Sequence, residues 1–228
     1  MFLLIADTSG RNGSVALARA EERGSDEVVL VDSAPLAGGT FSAQLVPQIA
    51  DLLRKHGLSK SAIDAFIVVS GPGSFTGLRV GLAAIKALAE ILQKPIVPVS
   101  VLELVARAAG TQGRVMAVLD AGRGEVYTAE YEFRTEAVDL VREEVILRAD
   151  LAMTDRALTL STPDASLAAL CREAGLSVFE LAAITPGMIA TLGWKKLRAG
   201  ETVSPERLEA NYSRRSDSEL FTKPASRA

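Results

Sequence analysis

The chain has 228 residues, of which 48% are hydrophobic and 23% charged, so it is long enough to bury a sizeable core. Its formal net charge of −3 argues against a protein that grips nucleic-acid phosphates through a basic surface of its own. The single cysteine, Cys171, excludes an internal disulfide and a cysteine-built metal site. Residues 2–6 are too short for a signal peptide, and no apolar stretch reaches membrane-spanning length. We therefore expect a cytoplasmic protein that makes no contact with a membrane.

The first half of the sequence predicts an antiparallel meander followed by alternating helices and strands. Residues 2–7 form a strand that ends at Asp7, and a glycine turn returns the chain into a second strand. A third strand over 27–33 completes the meander. The apolar spacing over 41–56 predicts a helix, and strand, helix, strand and helix follow.

The second half opens as the first does. Residues 115–119 predict a strand that ends at Asp120, and a glycine turn again leads into a returning strand. This repetition predicts two similarly built lobes, residues 1–109 and residues 110–212. The polar tail over 213–228 either packs on the first lobe or is disordered.

An aspartate that ends the first strand of each lobe is typical of actin-like ATPases and sugar kinases, where both carboxylates face the nucleotide. On this interpretation Asp7, Ser9, Asp120 and Arg123 line a relic nucleotide cleft. The alternative is that both aspartates only end strands and start turns, which aspartate often does.

The centre of the sequence is a glycine turn over 70–77 and a helix that ends at Leu92. A strand, a glycine turn and a helix N-terminus are the usual parts of a phosphate site. The P-loop fingerprint fails because Leu78 follows Gly77, where a lysine is required. The dinucleotide fingerprint fails because Thr76 stands where its third glycine is required.

The helix after this turn has more apolar surface than one core-facing side needs. Its charged residues fall on one narrow stripe, and apolar or small residues fill two others. The helix is therefore either buried centrally between a sheet and neighbouring helices, or docked against a second subunit. For docking, we predict a partner-binding surface formed by Gly77, Leu78, Arg79, Val80, Gly81, Leu82 and Ile85.

Residues 70–82, SGPGSFTGLRVGL, resemble the signature of the bacterial TsaB (YeaZ) family. Further segments agree in order and spacing, at residues 4–9, 14–17, 120–127 and 211–215. The resemblance spans nearly the whole chain. It implies a two-lobed, actin-like and sugar-kinase-like (ribonuclease H-like) α/β fold, in which each lobe is a mixed sheet with helices.

The resemblance also implies a role without catalysis. Family members pair with TsaD, the catalytic relative, and with the ATPase TsaE, to transfer threonylcarbamoyl to the adenosine next to the anticodon of tRNA. It implies a homodimer when TsaD is absent, contact with tRNA only through the complex, and no tightly bound cofactor, with ATP or ADP expected at the heteromeric complex. Two rival functions stay open: a small-molecule kinase or ATPase of the same fold, and a peptidase.

One residue departs from the family pattern. Phe41 stands where members commonly carry a histidine, on the segment where the catalytic relative holds a metal through two histidines. The sole histidine of this chain, His56, lies elsewhere, so we predict neither a metal site nor catalytic residues. Basic residues at 195–198 either touch tRNA or complement the helix dipole.

Overall fold

Two five-stranded sheets form the framework of this computed structural model, which describes residues 1–21, 27–135 and 137–211. The first sheet contains β1 (Phe2–Asp7), β2 (Gly13–Ala20), β3 (Val28–Leu36), β4 (Ile63–Gly71) and β5 (Ile96–Ser100). The second sheet contains β6 (Gly113–Gly122), β7 (Glu125–Phe133), β8 (Val138–Leu147), β9 (Thr159–Thr162) and β10 (Ser177–Glu180). The strand orders are β3-β2-β1-β4-β5 and β10-β9-β6-β7-β8.

The two sheets repeat one topology. In each sheet the first strand pairs antiparallel with the second, and the second pairs antiparallel with the third. The remaining strands add in parallel on the other side of the first strand. The predicted repetition, a meander followed by alternating helices and strands, is therefore present in both halves.

Five α-helices pack on these sheets: α1 (Phe41–Lys55), α2 (Phe75–Leu92), α3 (Val101–Ala108), α4 (Ala165–Glu173) and α5 (Pro186–Arg198). The apolar residues of α1 and α2 join one face of the first sheet in a core of their own. The helices α3 and α5 share a second core with the opposite face of the first sheet and with one face of the second sheet. The apolar residues of α4 cover the other face of the second sheet. None of the helices in the described ranges has the length and apolar content needed to cross a membrane.

The last helix departs from the predicted lobe boundary. The sequence predicts that residues 110–212 form the second lobe, but α5 packs on all five strands of the first sheet. Its Gly193 lies so close to β4 that an added Cβ would stand 2.5 Å from the Ile67 side chain. The chain then stays on the first lobe, where Leu208 is buried beneath α2. The predicted tail over 213–228 lies outside the described residues.

Candidate partner-docking site

The N-terminal half of α2 lies directly on the turn between β1 and β2. An added Cβ would stand 2.3 Å from the Ser9 carbonyl oxygen at Gly73 and 2.1 Å from the Thr8 carbonyl oxygen at Gly77. At Gly81 it would stand 2.2 Å from the Thr8 hydroxyl oxygen. Only glycine permits this approach, because real Cβ atoms do not come so close to other heavy atoms. The space beside the turn glycines Gly73 and Gly77, where a bound phosphate would be expected, is thus filled by the chain's own backbone.

The cap of α2 belongs to the same contact. The Ser74 side chain accepts a hydrogen bond from the Gly77 N–H at 3.3 Å, which satisfies one of the unpaired donors of the first turn. The Ser74 N–H in turn donates to the Ser9 carbonyl oxygen at 2.7 Å. Helix, turn and first strand are therefore one rigid unit.

Most of the predicted partner-binding surface is inside the chain. Leu78 and Ile85 are fully buried and Leu82 is 5% exposed, all in the core between α2 and the first sheet. Gly77 and Gly81 are buried against Thr8. The prediction that these five residues form the docking surface is therefore corrected: they hold α2 on its own lobe. Of the seven residues, Arg79 is exposed and Val80 is half-buried.

A different side of α2 is open to solvent. We call it the outer face of α2 and define it by Thr76, Val80, Ala83, Ala84, Ala87 and Ile91. Apart from the adjacent pair Ala83 and Ala84, these residues recur at steps of three and four, so they form one stripe along the helix. Ile91 is 71% exposed, and the alanines between it and Val80 leave room for a second helix to approach. The predicted apolar excess of α2 is thus real and lies on this stripe.

The Arg79 side chain and a groove border the outer face on one side. The Arg79 guanidinium lies 3.8 Å from the centre of the Phe75 ring, which holds it near the start of the helix. Between α2 and the chain at residues 208–210 there is a groove of about 300 Å³. Its walls are formed by Arg79, Leu82, Ala83, Lys86, Leu208, Glu209 and Ala210.

The first carboxylate of the predicted cleft is half-buried. Asp7 accepts hydrogen bonds from the backbone N–H and the hydroxyl of Ser9, at 2.9 and 2.7 Å. Strand alternation places the Asp7 side chain on the β1 face of Leu3 and Ile5, towards the core between the two sheets. Burial raises the pKa of the Asp7 carboxyl above its ordinary value, more than the Ser9 hydrogen bonds lower it.

The second carboxylate lies on another surface. Asp120 is exposed and pairs in register with Val126. Alternation places it on the β6 face of Met116 and Val118, the face covered by α4 and turned away from the first sheet. Arg123 is exposed in the hairpin turn between β6 and β7 and has a φ of 56°. The prediction that one cleft is lined by Asp7, Ser9, Asp120 and Arg123 is therefore corrected. The side chain of Asp7 is on the face of β1 that is turned towards the second sheet, whereas that of Asp120 is on the face of β6 that is turned away from the first sheet.

The comparisons with known proteins agree with the sequence resemblance. The family model described as "TsaD: tRNA N6-adenosine threonylcarbamoyltransferase" matches residues 35–192. The chain is 30% identical over 173 residues to the tRNA threonylcarbamoyladenosine biosynthesis protein TsaB of Bacillus subtilis, covering 73% of each chain. It is also 30% identical over 185 residues to the protein of that name in Escherichia coli, covering 75% of this chain and 79% of the relative. This chain belongs to the TsaB family.

Solved structures confirm the fold of this TsaB-family chain. YeaZ from Pseudomonas aeruginosa is 27% identical, with a TM-score of 0.69 over 92% of this chain and 100% of that one. An activator of 2-hydroxyisocaproyl-CoA dehydratase from Clostridium difficile matches with a TM-score of 0.50 at 9% identity over 88% of this chain and 97% of its own, which shows the fold alone. The predicted two-lobed α/β fold, with a mixed sheet and helices in each lobe, is therefore confirmed.

Phe41, the departure from the TsaB-family pattern, has a packing role. It is 5% exposed, and its ring lies 3.0 Å from a Cβ built on Gly13 and 3.3 Å from one built on Gly77. The ring thus fills the wedge between α1, β2 and the start of α2. Within the described ranges, no three His, Cys, Asp or Glu side chains are grouped closely enough to hold a metal ion.

The remaining candidates are held in structural contacts. His56 Nε2 lies 2.8 Å from the Asp32 carboxylate, which Lys55 also contacts at 2.7 Å, so the end of α1 is tied to β3. The hydrogen bond from Lys55 lowers the pKa of Asp32 most, and the hydrogen bond from His56 lowers it further. Burial raises the pKa of the Cys171 thiol, which is 1% exposed. Lys196, one of the basic residues of the last helix, is paired with two carboxylates rather than presented to a polyanion.

Asp7→Asn is expected to stabilise the protein at neutral pH. Because the folded-state pKa of Asp7 is raised, the stability that the neutral carboxyl gives is present below about pH 4 and lost as pH rises through the raised pKa. Asparagine stays neutral and keeps an oxygen that accepts from Ser9. Urea unfolding at pH 4 and pH 7 checks this: the advantage of the variant in free energy of unfolding should grow with pH. A variant less stable than wild type at pH 7 would contradict it.

Proposed function

We propose that this chain acts in tRNA threonylcarbamoyladenosine biosynthesis as a non-catalytic subunit that pairs with TsaD through the outer face of α2. Its membership of the TsaB family supports the biosynthetic role. The observation that carries the pairing is the exposure of an apolar, small-residue stripe along an 18-residue helix. A surface of this kind is stabilised when another protein covers it.

The shape of the outer face favours a helix as its occupant. Ala83, Ala84 and Ala87 form a shallow central strip, and Val80 and Ile91 stand at its two ends. Small residues between larger ones let two helix axes approach within about 8–10 Å. Covering an exposed side chain such as Ile91 contributes roughly 1.5–3 kcal/mol.

The contacts beneath α2 make this surface suitable for a scaffold. The three glycines and the Ser74 cap fix α2 on the first strand, so the outer face keeps its shape before a partner arrives. A preorganised surface loses less conformational entropy on binding. The scaffold role therefore needs no rearrangement of this chain.

The placement of the carboxylates supports a subunit without chemistry of its own. Nucleotide-dependent catalysis in a two-lobed fold of this kind needs both carboxylates to face one cleft. Here Asp7 is half-buried and bonded to Ser9, while Asp120 lies on the far face of the second sheet. This geometry favours the scaffold over the kinase or ATPase, and no arrangement among the described residues specifically favours the peptidase.

The other partners belong to the proposal in the form that the family resemblance implies. TsaE joins the pair, tRNA is reached through the complex, and a second copy of this chain occupies the outer face when TsaD is absent. Because homodimer and heterodimer use one surface, excess TsaD is expected to dissociate the homodimer by mass action. An adenine nucleotide at the heteromeric boundary stays a prediction.

A reconstituted modification assay tests the function. TsaD, TsaE and a source of threonylcarbamoyl-adenylate are incubated with tRNA, with and without this chain, and modified adenosine is quantified by mass spectrometry. We expect modification to need this chain, and the chain alone to show neither ATP turnover nor cleavage of a peptide library. Full modification without the chain would refute the scaffold role, and ATP turnover by the isolated chain would favour the kinase.

A further inference from the structure

We propose that residues 199–211, which we call the strap, latch the second lobe to the lobe that carries α2. The latch closes where the Asn211 side-chain amide donates a hydrogen bond to the Glu143 carboxylate at 2.7 Å. The latch itself is independent of the proposed function, and only its effect on TsaD binding rests on that function. None of the sequence motifs assigns this role to the strap.

The strap follows the edge of the first lobe. Its Val203 N–H donates to the carbonyl oxygen of Ile96, the first residue of the edge strand β5, at 2.9 Å. A short 3-10 turn at Pro205–Arg207 then contacts α2, and Leu208 inserts into the core beneath that helix with 1% of its surface exposed. The strap is thus fixed to the docking helix before it reaches the second lobe.

Asn211 joins the two sheets at the end of the strap. Its backbone N–H donates to the Ser70 carbonyl oxygen at 2.7 Å, and Ser70 belongs to β4 of the first sheet. Its side chain reaches Glu143, which belongs to β8 of the second sheet. The next residue of β4, Gly71, has a φ of +119°, and an added Cβ would stand 2.9 Å from the Asn211 carbonyl oxygen. The backbone around Asn211 is therefore tightly packed against β4, and this packing holds the side chain within reach of Glu143.

The buried core supports the contact made by Asn211. Tyr131 of β7 and Val99 of β5 belong to one core that the two sheets share. Asn211 ties the carboxyl end of the parallel strand β4 to the second sheet, through its backbone bond to Ser70 and its side-chain bond to Glu143. In open α/β sheets this edge is the usual crevice for ligands, and here it is bridged by the chain's own polar groups.

The strap also reaches the proposed docking site. Its residues 208–210 form one wall of the groove beside the outer face of α2. A partner that fills this groove contacts the strap and favours the state in which the strap is seated. By linkage, a closed latch must then increase the affinity for the partner by the same factor.

The latch is tested by exchanging the amide of Asn211 for a carboxylate, and the carboxylate of Glu143 for an amide, with side chains of nearly the same shape. Asn211→Asp replaces the donor with a carboxylate that faces Glu143, so we expect the strap to open more often. Glu143→Gln keeps an acceptor oxygen for Asn211 and serves as the matched control. In the double variant the new amide at position 143 donates to the new carboxylate at position 211, which restores the bond with its direction reversed.

Hydrogen exchange of the full-length variants measures the opening. For Asn211→Asp we expect exchange at residues 203–211 roughly ten-fold faster than in wild type, with near-wild-type rates in the control and in the double variant. Unchanged exchange in Asn211→Asp, or no recovery in the double variant, would overturn the latch.

The affinity for TsaD, measured on the same variants by calorimetry, tests the coupling. A loss of affinity in Asn211→Asp that the double variant reverses supports it. Faster exchange with unchanged affinity would overturn the coupling to the docking site. If wild type does not bind TsaD, the proposed function fails, while the exchange data still decide whether the latch exists.

Discussion

Gly77→Ala is expected to destabilise the first lobe, although alanine is the better helix former. In an unconstrained helix the exchange would gain about 1 kcal/mol. Here the new Cβ would stand 2.1 Å from the Thr8 carbonyl oxygen, a backbone atom in a turn that the Ser74–Ser9 hydrogen bond holds in place. Overpacking of this kind typically costs about 1–3 kcal/mol, so we expect a net loss in the free energy of unfolding, measured by urea titration.

A matched glycine in another helix provides the control. Gly187 lies in the first turn of α5, and an added Cβ would meet nothing closer than the Thr185 hydroxyl oxygen at 3.8 Å. Gly187→Ala is therefore expected to leave stability unchanged or slightly raised. If both variants unfold at the same urea concentration as wild type, the contact between α2 and the β1–β2 turn is looser than the structure shows.

The same contact changes the expected behaviour of Gly81→Leu. From the sequence, this substitution is predicted to block a partner while the monomer stays folded. In the structure the Gly81 side faces Thr8 within the chain, so a leucine has no space and the monomer itself is expected to unfold. Leu78→Glu likewise places a charge in the core of the first lobe, where Leu78 is fully buried.

The error in the docking surface has a physical cause. Periodicity shows that α2 has two apolar stripes, but it does not show which one the chain's own sheet covers. The sequence predicts that Gly77 and Gly81 let a foreign backbone approach, whereas Thr8, about 70 residues earlier, lies against both, through its carbonyl oxygen at Gly77 and its side chain at Gly81. Only the three-dimensional path of the β1–β2 turn reveals this. Two residues of the outer face, Ala84 and Ile91, fall on the second apolar stripe that the sequence predicts, together with Gly77, Gly81 and Leu88.

The fold was predictable further than the site. The meanders, the repeat of the two halves and the buried face of α1 follow from short-range patterns that act within one element or between neighbours. The position of α5 could not be predicted in this way, because the apolar spacing of an amphipathic helix does not show which of the two sheets it packs on. The strap has no apolar periodicity that would predict a helix or a strand. The role of Asn211 depends on its hydrogen bond to Glu143, which lies 68 residues away in the sequence. The difference in strand face that separates Asp7 from Asp120 similarly depends on a strand register that turn residues do not fix.

Ala87→Glu is expected to abolish pairing with TsaD and leave this chain folded. Ala87 lies in the middle of the outer face and is exposed, so a glutamate there stays hydrated in the free protein. In the complex the carboxylate would be buried against an apolar helix without a partner, which costs about 3–5 kcal/mol. That cost corresponds to a loss of affinity of more than about a hundred-fold, measured by calorimetry with purified TsaD.

An exposed methionine on the second lobe separates a docking effect from a general effect of added charge. Met153 is 76% exposed at the end of the 3-10 stretch Arg148–Met153, so Met153→Glu should keep wild-type affinity. Unfolding midpoints of both variants should equal that of wild type, because neither side chain belongs to a core. Ala87→Glu should also prevent the proposed homodimer in sedimentation experiments, since a second copy would use the same face. Undiminished affinity of Ala87→Glu for TsaD would mean that the partner covers a different surface, and the apolar stripe on α2 would then need another occupant.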